Sequence, residues 1–169
     1  LSMFAASAYR DDPCTRFKPH ILDQNIYDVV DPGLVAKMHK AITVMQFKVE
    51  GQIIKRHPEY GLNHRCLLEH VDFDKGTVEV DGKTYPMLDM KFPTIDPKDP
   101  LKLTEQEAEL LQTLKMSFRH SGLLHKHIKF LYSHGSMYKC CNNNLLYHGC
   151  IPLKKDGSFD DIVFYGIPY

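Results

Sequence analysis

The sequence predicts an α+β fold that is mostly helical, and three features support this prediction. Apolar residues recur at helical spacing through a long stretch that begins after Asp31-Pro32. Two capping signals, Thr104-x-x-Glu107 and Ser121, predict a pair of further helices. After Gly135 the helical period gives way to short runs that are typical of strands.

The strongest predicted element is a helix that runs from Pro32 to about His57. Asp31 can cap its N-terminus, Pro32 suits the first helical position, and Pro58 stops the helix. We expect this helix to be the spine of a helical subdomain, and a short helix to follow at about Asn63–Val71. The predicted core-facing stripe consists of Leu34, Met38, Ala41, Ile42, Met45, Val49 and Ile53.

A β-hairpin is predicted at residues 77–85. Its two arms flank Asp81-Gly82, a pair of residues typical of a type I′ turn. Residues 91–102 contain three prolines, at positions 93, 97 and 100, and we expect an ordered connecting loop there.

The helical pair follows this loop. The Thr104–Glu107 capping box begins a helix with Glu107, Leu111, Leu114 and Phe118 on one side. Ser121 caps the second helix, which extends to about Ser133 and ends at Gly135. We expect this helix to turn its apolar positions inward, namely Leu124, Ile128 and Leu131.

Short strands are predicted in the last part of the chain. Residues 136–141 form the first, Asn142-Asn143-Asn144 the turn, and Leu145–His148 a short buried strand. A further strand is predicted at Ile162–Tyr165. At the other end of the chain, residues 1–9 resemble the end of a helix and residues 10–30 a loop.

Composition excludes several classes of protein. A hydrophobic fraction of 43% with 25% charged residues is typical of a globular chain and not of a disordered one. The formal net charge is zero, whereas a general nucleic-acid binder usually carries a basic excess. No apolar run approaches the roughly 18 residues that a membrane helix needs. The five scattered cysteines make a poor disulfide framework and indicate reduced thiols in a cytoplasmic protein.

His148 is the residue in the sequence that most resembles a functional side chain. It ends the apolar run Leu145-Leu146-Tyr147 and directly precedes Gly149. A strand can hold an imidazole rigidly at its C-terminal end, and glycine lets a ligand approach the backbone closely. Taken alone, a His-Gly pair after a strand is more often structural than functional.

Several separated segments together resemble the class III, Firmicute-type fructose-1,6-bisphosphatases. They are Asp11–Cys14, Lys37–Ile42, Phe92–Pro97 and the long stretch Lys129–Leu153. The resemblance covers essentially the whole chain, and its unusual segments agree in order. It implies a calcineurin-like metallophosphoesterase, a sugar bisphosphate substrate and a dinuclear, usually manganese, centre.

In that family five motifs supply metal ligands, and Tyr147-His148-Gly149 matches the fourth of them. The resemblance therefore implies that His148 binds one ion. The other four motifs are absent, so we expect the chain to be an internal segment that is inactive alone. The implied organisation is a helix end and loop at 1–30, a helical insertion at 31–134, and strands of a metallophosphatase α/β sandwich at 135–169.

Two further residues are candidates for substrate binding. Lys139 and Asn143 lie near the His148 strand, where a cation or an amide could meet the distal phosphate of the sugar. A solvated lysine and a turn asparagine are the simpler interpretation of both. An alternative to the enzyme segment is a helical interaction or regulatory module without a site of its own. Strand edges left exposed in the chain also favour a homo-oligomer.

Overall fold

The computed structural model describes residues 1–19, 31–136, 138–147, 149, 151–164 and 166–168, and it shows a mixed helix and strand fold. The four helices of these ranges are α1 (Ser2–Ala8), α2 (Pro32–Arg56), α3 (Glu105–Arg119) and α4 (Gly122–His134). The predicted mixture of helices and small sheets is therefore confirmed. No helix in the described ranges is both long and apolar enough to cross a membrane.

The strands form three small antiparallel sheets. The first contains β1 (Val71–Asp72), β2 (Thr77–Val80) and β3 (Lys83–Pro86) in that order. The other two are the hairpins β4–β5 (Tyr138–Cys141 and Asn144–Tyr147) and β6–β7 (Val163–Phe164 and Ile167–Pro168). Each hairpin strand in these two sheets pairs only with its neighbour in sequence.

The chain divides into two units, residues 1–114 and residues 115–169. The first unit holds all the buried residues of the described ranges. Its core forms where α1 packs on α2, around Ala5, Tyr9, Cys14, Ala36 and Ala41. The boundaries predicted from the sequence, at 1–30, 31–134 and 135–169, describe the organisation of a longer protein and stay a prediction.

Local sequence signals set the bounds of α2. The Asp31 carboxylate accepts the Gly33 amide at 2.9 Å, and Pro32 is the first helical residue, as predicted. The helix ends at Arg56, and after His57 the chain continues as a turn of 3₁₀ helix at Pro58–Tyr60. The short helix expected next is instead two 3₁₀ segments, Asn63–Arg65 and Leu67–His70.

The core-facing stripe predicted for α2 is wrong in part. Ala41 and Met45 are buried, but Ile53 is 40% exposed. Ile42, Val49 and Ile53 line an open apolar groove of about 520 Å³ rather than the closed core. The buried face of α2 lies to one side of the predicted stripe, because it is centred on a row of residues that includes two lysines. The buried residues of α2 are Ala36, Lys40, Ala41, Val44, Met45, Lys48, Gly51 and Ile54.

The predicted caps and turns are confirmed. Thr104 Oγ1 accepts the Glu107 amide, and Glu107 Oε2 accepts the Thr104 amide, so the capping box at α3 is complete. Ser121 Oγ accepts the Leu124 amide at the start of α4. Asp81 and Gly82 both have positive φ, +50° and +72°, as a type I′ turn between β2 and β3 requires. The strand β1 was not predicted.

The inward face predicted for α4 is wrong within this chain. None of its residues is buried, and Ile128 and Leu131 are 41% and 59% exposed. The apolar spacing that predicts a helix also predicts that one side is covered. In the described residues of the second unit no element covers that side.

Candidate functional site

The hairpin β4–β5 carries both residues that the sequence suggested for substrate binding. Lys139 lies in β4 opposite Leu146 of β5. Asn142 and Asn143 form the connecting turn, both in the left-handed region with φ of +50° and +61°. Asparagine tolerates this conformation, which explains the turn. His148 lies outside the described residues, so its role as a metal ligand stays a prediction.

The strand expected to be buried before His148 is exposed in this structure. Leu145 and Leu146 are 53% and 56% exposed, and Tyr147 is 50% exposed. The prediction of a buried strand is therefore wrong for this chain, because burial requires an element packed on a face of β5, whereas β4 occupies only one edge of it. A two-stranded hairpin covers neither of its own faces.

The pleat of the hairpin separates its side chains into two faces. Residues directly opposite each other share a face, so Lys139 lies on the same side as Leu146, and Cys141 as Asn144. Lys139 lies three residues before Asn142, about 10 Å along the strand at roughly 3.3 Å per residue. Lys139 and Asn143 therefore occupy different ends of the hairpin. Both are exposed to solvent and open to a ligand.

Metal-ligating side chains do not cluster in the part of the chain that the structure describes. No group of three or more His, Cys, Asp or Glu residues there could hold an ion. The described residues alone therefore do not fit a dinuclear metal centre.

The most organised polar site in the described ranges is a buried ionic cluster that the sequence did not predict. Lys40 Nζ donates to Asp12 Oδ2 at 2.6 Å and to Asp89 Oδ2 at 2.7 Å, and Lys40 is fully buried. The Cys14 amide donates to the other oxygen of Asp12 at 2.9 Å. Cys14 itself takes a left-handed conformation, with φ of +46°.

Each charge of this cluster stabilises its partner. Burial by itself raises the pKa of Asp12, but hydrogen bonds from Lys40 and Cys14 outweigh burial and lower that pKa overall. Burial likewise favours a lower pKa for Lys40, yet Asp12 and Asp89 together raise it. Burial, reinforced by the Asp12 charge, raises the pKa of the Cys14 thiol to about 11. Asp12 and Lys40 are therefore both ionised at neutral pH, and the Cys14 thiol is protonated.

A second buried cluster lies two helical turns further along α2. Lys48 Nζ donates to Glu107 Oε2 at 2.7 Å and to the Thr94 carbonyl at 2.5 Å. Lys48 and Glu107 are both 0% exposed. Tyr9 Oη lies 3.4 Å from Thr94 Oγ1, and burial raises the pKa of Tyr9 to about 12. Glu107 Oε1 has no hydrogen-bond partner among the described residues.

These two clusters can anchor the fold but cannot bind a phosphate. Both lysines already have carboxylate partners and are closed to solvent. Each of the segments Asp11–Cys14, Lys37–Ile42 and Phe92–Pro97, which carry the family resemblance, contributes at least one residue to these clusters. A sequence signal for them does exist. Lys40, Val44 and Lys48 form an i, i+4, i+8 row that continues the buried face of α2.

Comparisons with known proteins cover the whole chain. The family model described as Firmicute fructose-1,6-bisphosphatase matches residues 1–169. Proteins named "Fructose-1,6-bisphosphatase class 3" are similar to this chain. Those of Listeria innocua, Alkaliphilus metalliredigens and Clostridium tetani are 49%, 50% and 53% identical over 98%, 100% and 94% of it. The chain spans about a quarter of the length of these relatives, 25%, 26% and 24% respectively. No solved structure matches it.

Proposed function

The chain belongs to the Firmicute fructose-1,6-bisphosphatase family, and we propose that it is an internal segment of a phosphatase acting on fructose 1,6-bisphosphate. The products would be fructose 6-phosphate and phosphate, a step of gluconeogenesis. The observation that carries this proposal is the match over all 169 residues to proteins of that name. Because the chain spans a quarter of those relatives, we propose that it is inactive alone.

We propose that His148 is one ligand of a dinuclear manganese centre in the longer protein. The support is the family resemblance at Tyr147-His148-Gly149. The described residues supply no further cluster of ligands, so the remaining ligands would come from other parts of the longer protein. We assign no step of the reaction to the metal from this chain.

Lys139 and Asn143 would bind the phosphate that is not cleaved. An ammonium group and a side-chain amide are both hydrogen-bond donors to phosphate oxygens, and the bond from the charged donor is the stronger. Both side chains are exposed on the hairpin that precedes His148. Because about 10 Å of strand separates Lys139 from the turn, the two donors would reach this phosphate from different ends of the hairpin. The left-handed turn places Asn143 at the tip of the hairpin.

The surroundings of this hairpin in the longer protein are also part of the proposal. Residues 135–169 would be strands of a metallophosphatase α/β sandwich, which would cover the faces that are exposed here. We propose a cytoplasmic location, in keeping with the free thiols of Cys14, Cys66, Cys140 and Cys141.

Phosphate release from fructose 1,6-bisphosphate tests the proposal. The complete reading frame that contains this chain would be assayed with Mn²⁺ and with chelator, as wild type and as His148→Ala. We expect metal-dependent release that His148→Ala abolishes. His120→Ala, which removes an exposed histidine of the same unit, should retain activity.

Steady-state kinetics separate substrate binding from metal binding. Lys139→Ala and Asn143→Ala should raise KM with a smaller effect on kcat, because uniform binding is lost. Lys98→Ala, an exposed lysine of the first unit, is the matched control. A wild type that releases no phosphate with Mn²⁺ would contradict the enzyme proposal.

One observation favours the alternative of an interaction module. Every residue of β4 and β5 is exposed, and no residue of α4 is buried. A segment of this kind could mediate subunit contacts without a catalytic site. If His148→Ala leaves turnover intact but changes assembly, this alternative replaces the first.

A further inference from the structure

Charge is distributed very unevenly along this chain. No aspartate or glutamate lies between Glu109 and Asp156. The cations of residues 115–169 are Lys115, Arg119, Lys126, Lys129, Lys139, Lys154 and Lys155. Because the formal net charge of the whole chain is zero, residues 1–114 carry a matching excess of acid. Such segregation within a neutral chain indicates two surfaces of opposite sign.

Helix α4 presents the basic surface. At 100° per residue, His125, Lys126 and Lys129 fall on one side of it, and all three are exposed. Large apolar side chains flank these cations, and Phe130 and Tyr132 are 59% and 88% exposed. A helix with cations and exposed aromatic residues, but no buried residue, is a surface suited to a partner. We call these residues the basic helix surface.

The sheet β1–β2–β3 presents the acidic counterpart. A groove of about 430 Å³ lies along it, lined by Glu69, His70, Val71, Asp72 and Glu79. Asp72 pairs with Thr77, two residues from Glu79, so both carboxylates lie on one face of the sheet.

Exposed lysines neutralise this groove only in part. Lys55 pairs with Glu69 and Lys75 with Asp72. Glu79 makes no ion pair among the described residues. The groove therefore keeps a negative charge that another molecule could meet.

We propose that the basic helix surface of one copy docks in the acidic groove of a second copy of the same chain. In a two-fold dimer this contact occurs twice, because each copy supplies one helix and one groove. Charge complementarity fixes which surfaces meet and speeds their encounter. Exposed ion pairs are weak and screened by salt, so the dimer is weak and depends on ionic strength.

A nucleic acid or another polyanion is the competing occupant of the basic helix surface. The chain favours a second copy because it carries both surfaces, so each copy supplies the charge that complements the other. The zero net charge also gives no general attraction to phosphates.

Sedimentation velocity of the 169-residue chain tests the proposal. We expect concentration-dependent dimers in 25 mM salt and monomers in 500 mM salt. Lys126→Glu/Lys129→Glu should weaken association about tenfold or more, because like charges then face each other. Glu69→Lys/Glu79→Lys should do the same from the other side. Lys98→Glu/Lys102→Glu, exposed lysines of the first unit, should leave the dimer unchanged.

An equal mixture of the two charge-reversed variants is the decisive test of charge complementarity. Each variant alone should be monomeric, whereas the mixture should form a heterodimer in which both contacts are again complementary. Circular dichroism would verify that each variant is folded. A chain that is monomeric in 25 mM salt, or a mixture that does not associate, overturns the proposal. So does a wild type that stays monomeric but binds a single-stranded oligonucleotide, which would assign the surface to a polyanion.

The same association measurement on the longer protein is a further test. If the charge-reversed pair restores association in the 169-residue chain but not in the longer protein, another part of the polypeptide covers α4. That result would also overturn the proposal. All of these measurements are independent of catalysis, so they do not depend on the outcome of the phosphatase assay.

Discussion

The two units of the chain differ in whether their side chains are buried and paired. Residues 1–114 contain a core in which buried lysines of α2 pair with buried or half-buried carboxylates. Among the described residues of 115–169 none is buried. Similar local signals, caps and I′ turns, build the elements of both units. The comparison shows that these signals form an element, whereas long-range partners decide whether it has a core.

Stability should therefore depend on different residues in the two units. In the first unit, substitutions of buried charges and close contacts should be costly. In the second, a two-stranded hairpin is only marginally stable by itself. The four predictions that follow test this contrast, from the largest expected effect to the smallest.

Loss of Lys48 should have the largest effect. Lys48→Met leaves the Glu107 carboxylate buried without its cation, which typically costs about 3–5 kcal/mol of the free energy of unfolding. Urea denaturation followed by circular dichroism measures this loss. Lys48→Met/Glu107→Gln should recover part of it, because the unpaired charge is gone. Lys55→Met, which breaks only the exposed pair with Glu69, is the control and should leave the midpoint unchanged.

Loss of Lys40 should cost somewhat less and should depend on pH. Lys40→Met is expected to lower the free energy of unfolding by about 3 kcal/mol at pH 7, because Asp12 remains buried and charged. In the wild type the pKa of Asp12 is lower when folded than when unfolded. Its contribution is thus present above the unfolded value, about 3.9, and is lost as pH falls through the folded value.

The pH dependence distinguishes the ionic role of Lys40 from packing. Without Lys40, burial raises the pKa of Asp12. Protonation of Asp12 at lower pH should then remove the unpaired buried charge and recover stability in the variant. The difference between Lys40→Met and wild type should accordingly shrink as pH falls from 7 to 3, measured by urea denaturation at each pH. A difference that stays constant with pH would mean that the lysine stem, and not its charge, is what matters.

Replacing a glycine by alanine should have opposite effects on stability in the two units. A Cβ on Gly51 would lie 2.5 Å from Leu101 Cδ2 and 3.3 Å from its Cγ, and Leu101 is buried. The clash should outweigh the helix propensity gain of about 1 kcal/mol, for a net loss of about 1–2 kcal/mol. Thermal unfolding measures this loss. Gly122→Ala in α4 meets nothing within 4 Å and should be neutral or stabilising. Equal effects at both glycines would remove this contrast between the units.

The turn of the second hairpin should give the smallest effect. Asn143 has a φ of +61°, which glycine adopts at a lower steric cost than asparagine. Asn143→Gly should therefore stabilise the hairpin by about 0.5 kcal/mol. Amide hydrogen exchange of β4 and β5 should slow about twofold. Asn144→Gly, in the strand, should instead speed exchange, since glycine weakens a strand interior. If both variants exchange alike, the turn does not limit the stability of the hairpin.

Much of the fold could be predicted because its signals are local. Asp31, Pro32 and Pro58 set the bounds of α2, and the Thr104–Glu107 box and Ser121 begin the next helices as expected. The buried face of α2 was misjudged, because a lysine is ordinarily assigned to solvent. Lys40 meets Asp12 and Asp89 across 28 and 49 residues, and Lys48 meets Glu107 across 59. A periodicity argument contains no such pairing.

The candidate site was predicted less completely than the fold. The turn at Asn142-Asn143 is confirmed because asparagine has a specific backbone preference. Burial of the strand before His148 was wrong, because burial depends on neighbours that a short apolar run does not specify. The ligand role of His148 and the phosphate roles of Lys139 and Asn143 stay predictions.

The four cysteines that the structure describes divide between the two units, so opening of the first unit can be measured without any substitution. Cys14 and Cys66 are buried, and burial raises the pKa of both thiols, whereas Cys140 and Cys141 lie exposed on the hairpin. An alkylating reagent should therefore label the hairpin pair at once, and the other two only as fast as the first unit opens. Mass spectrometry of timed samples would give the opening rate of the first unit from Cys14 and Cys66, with the rapid labelling of Cys140 and Cys141 as the reference.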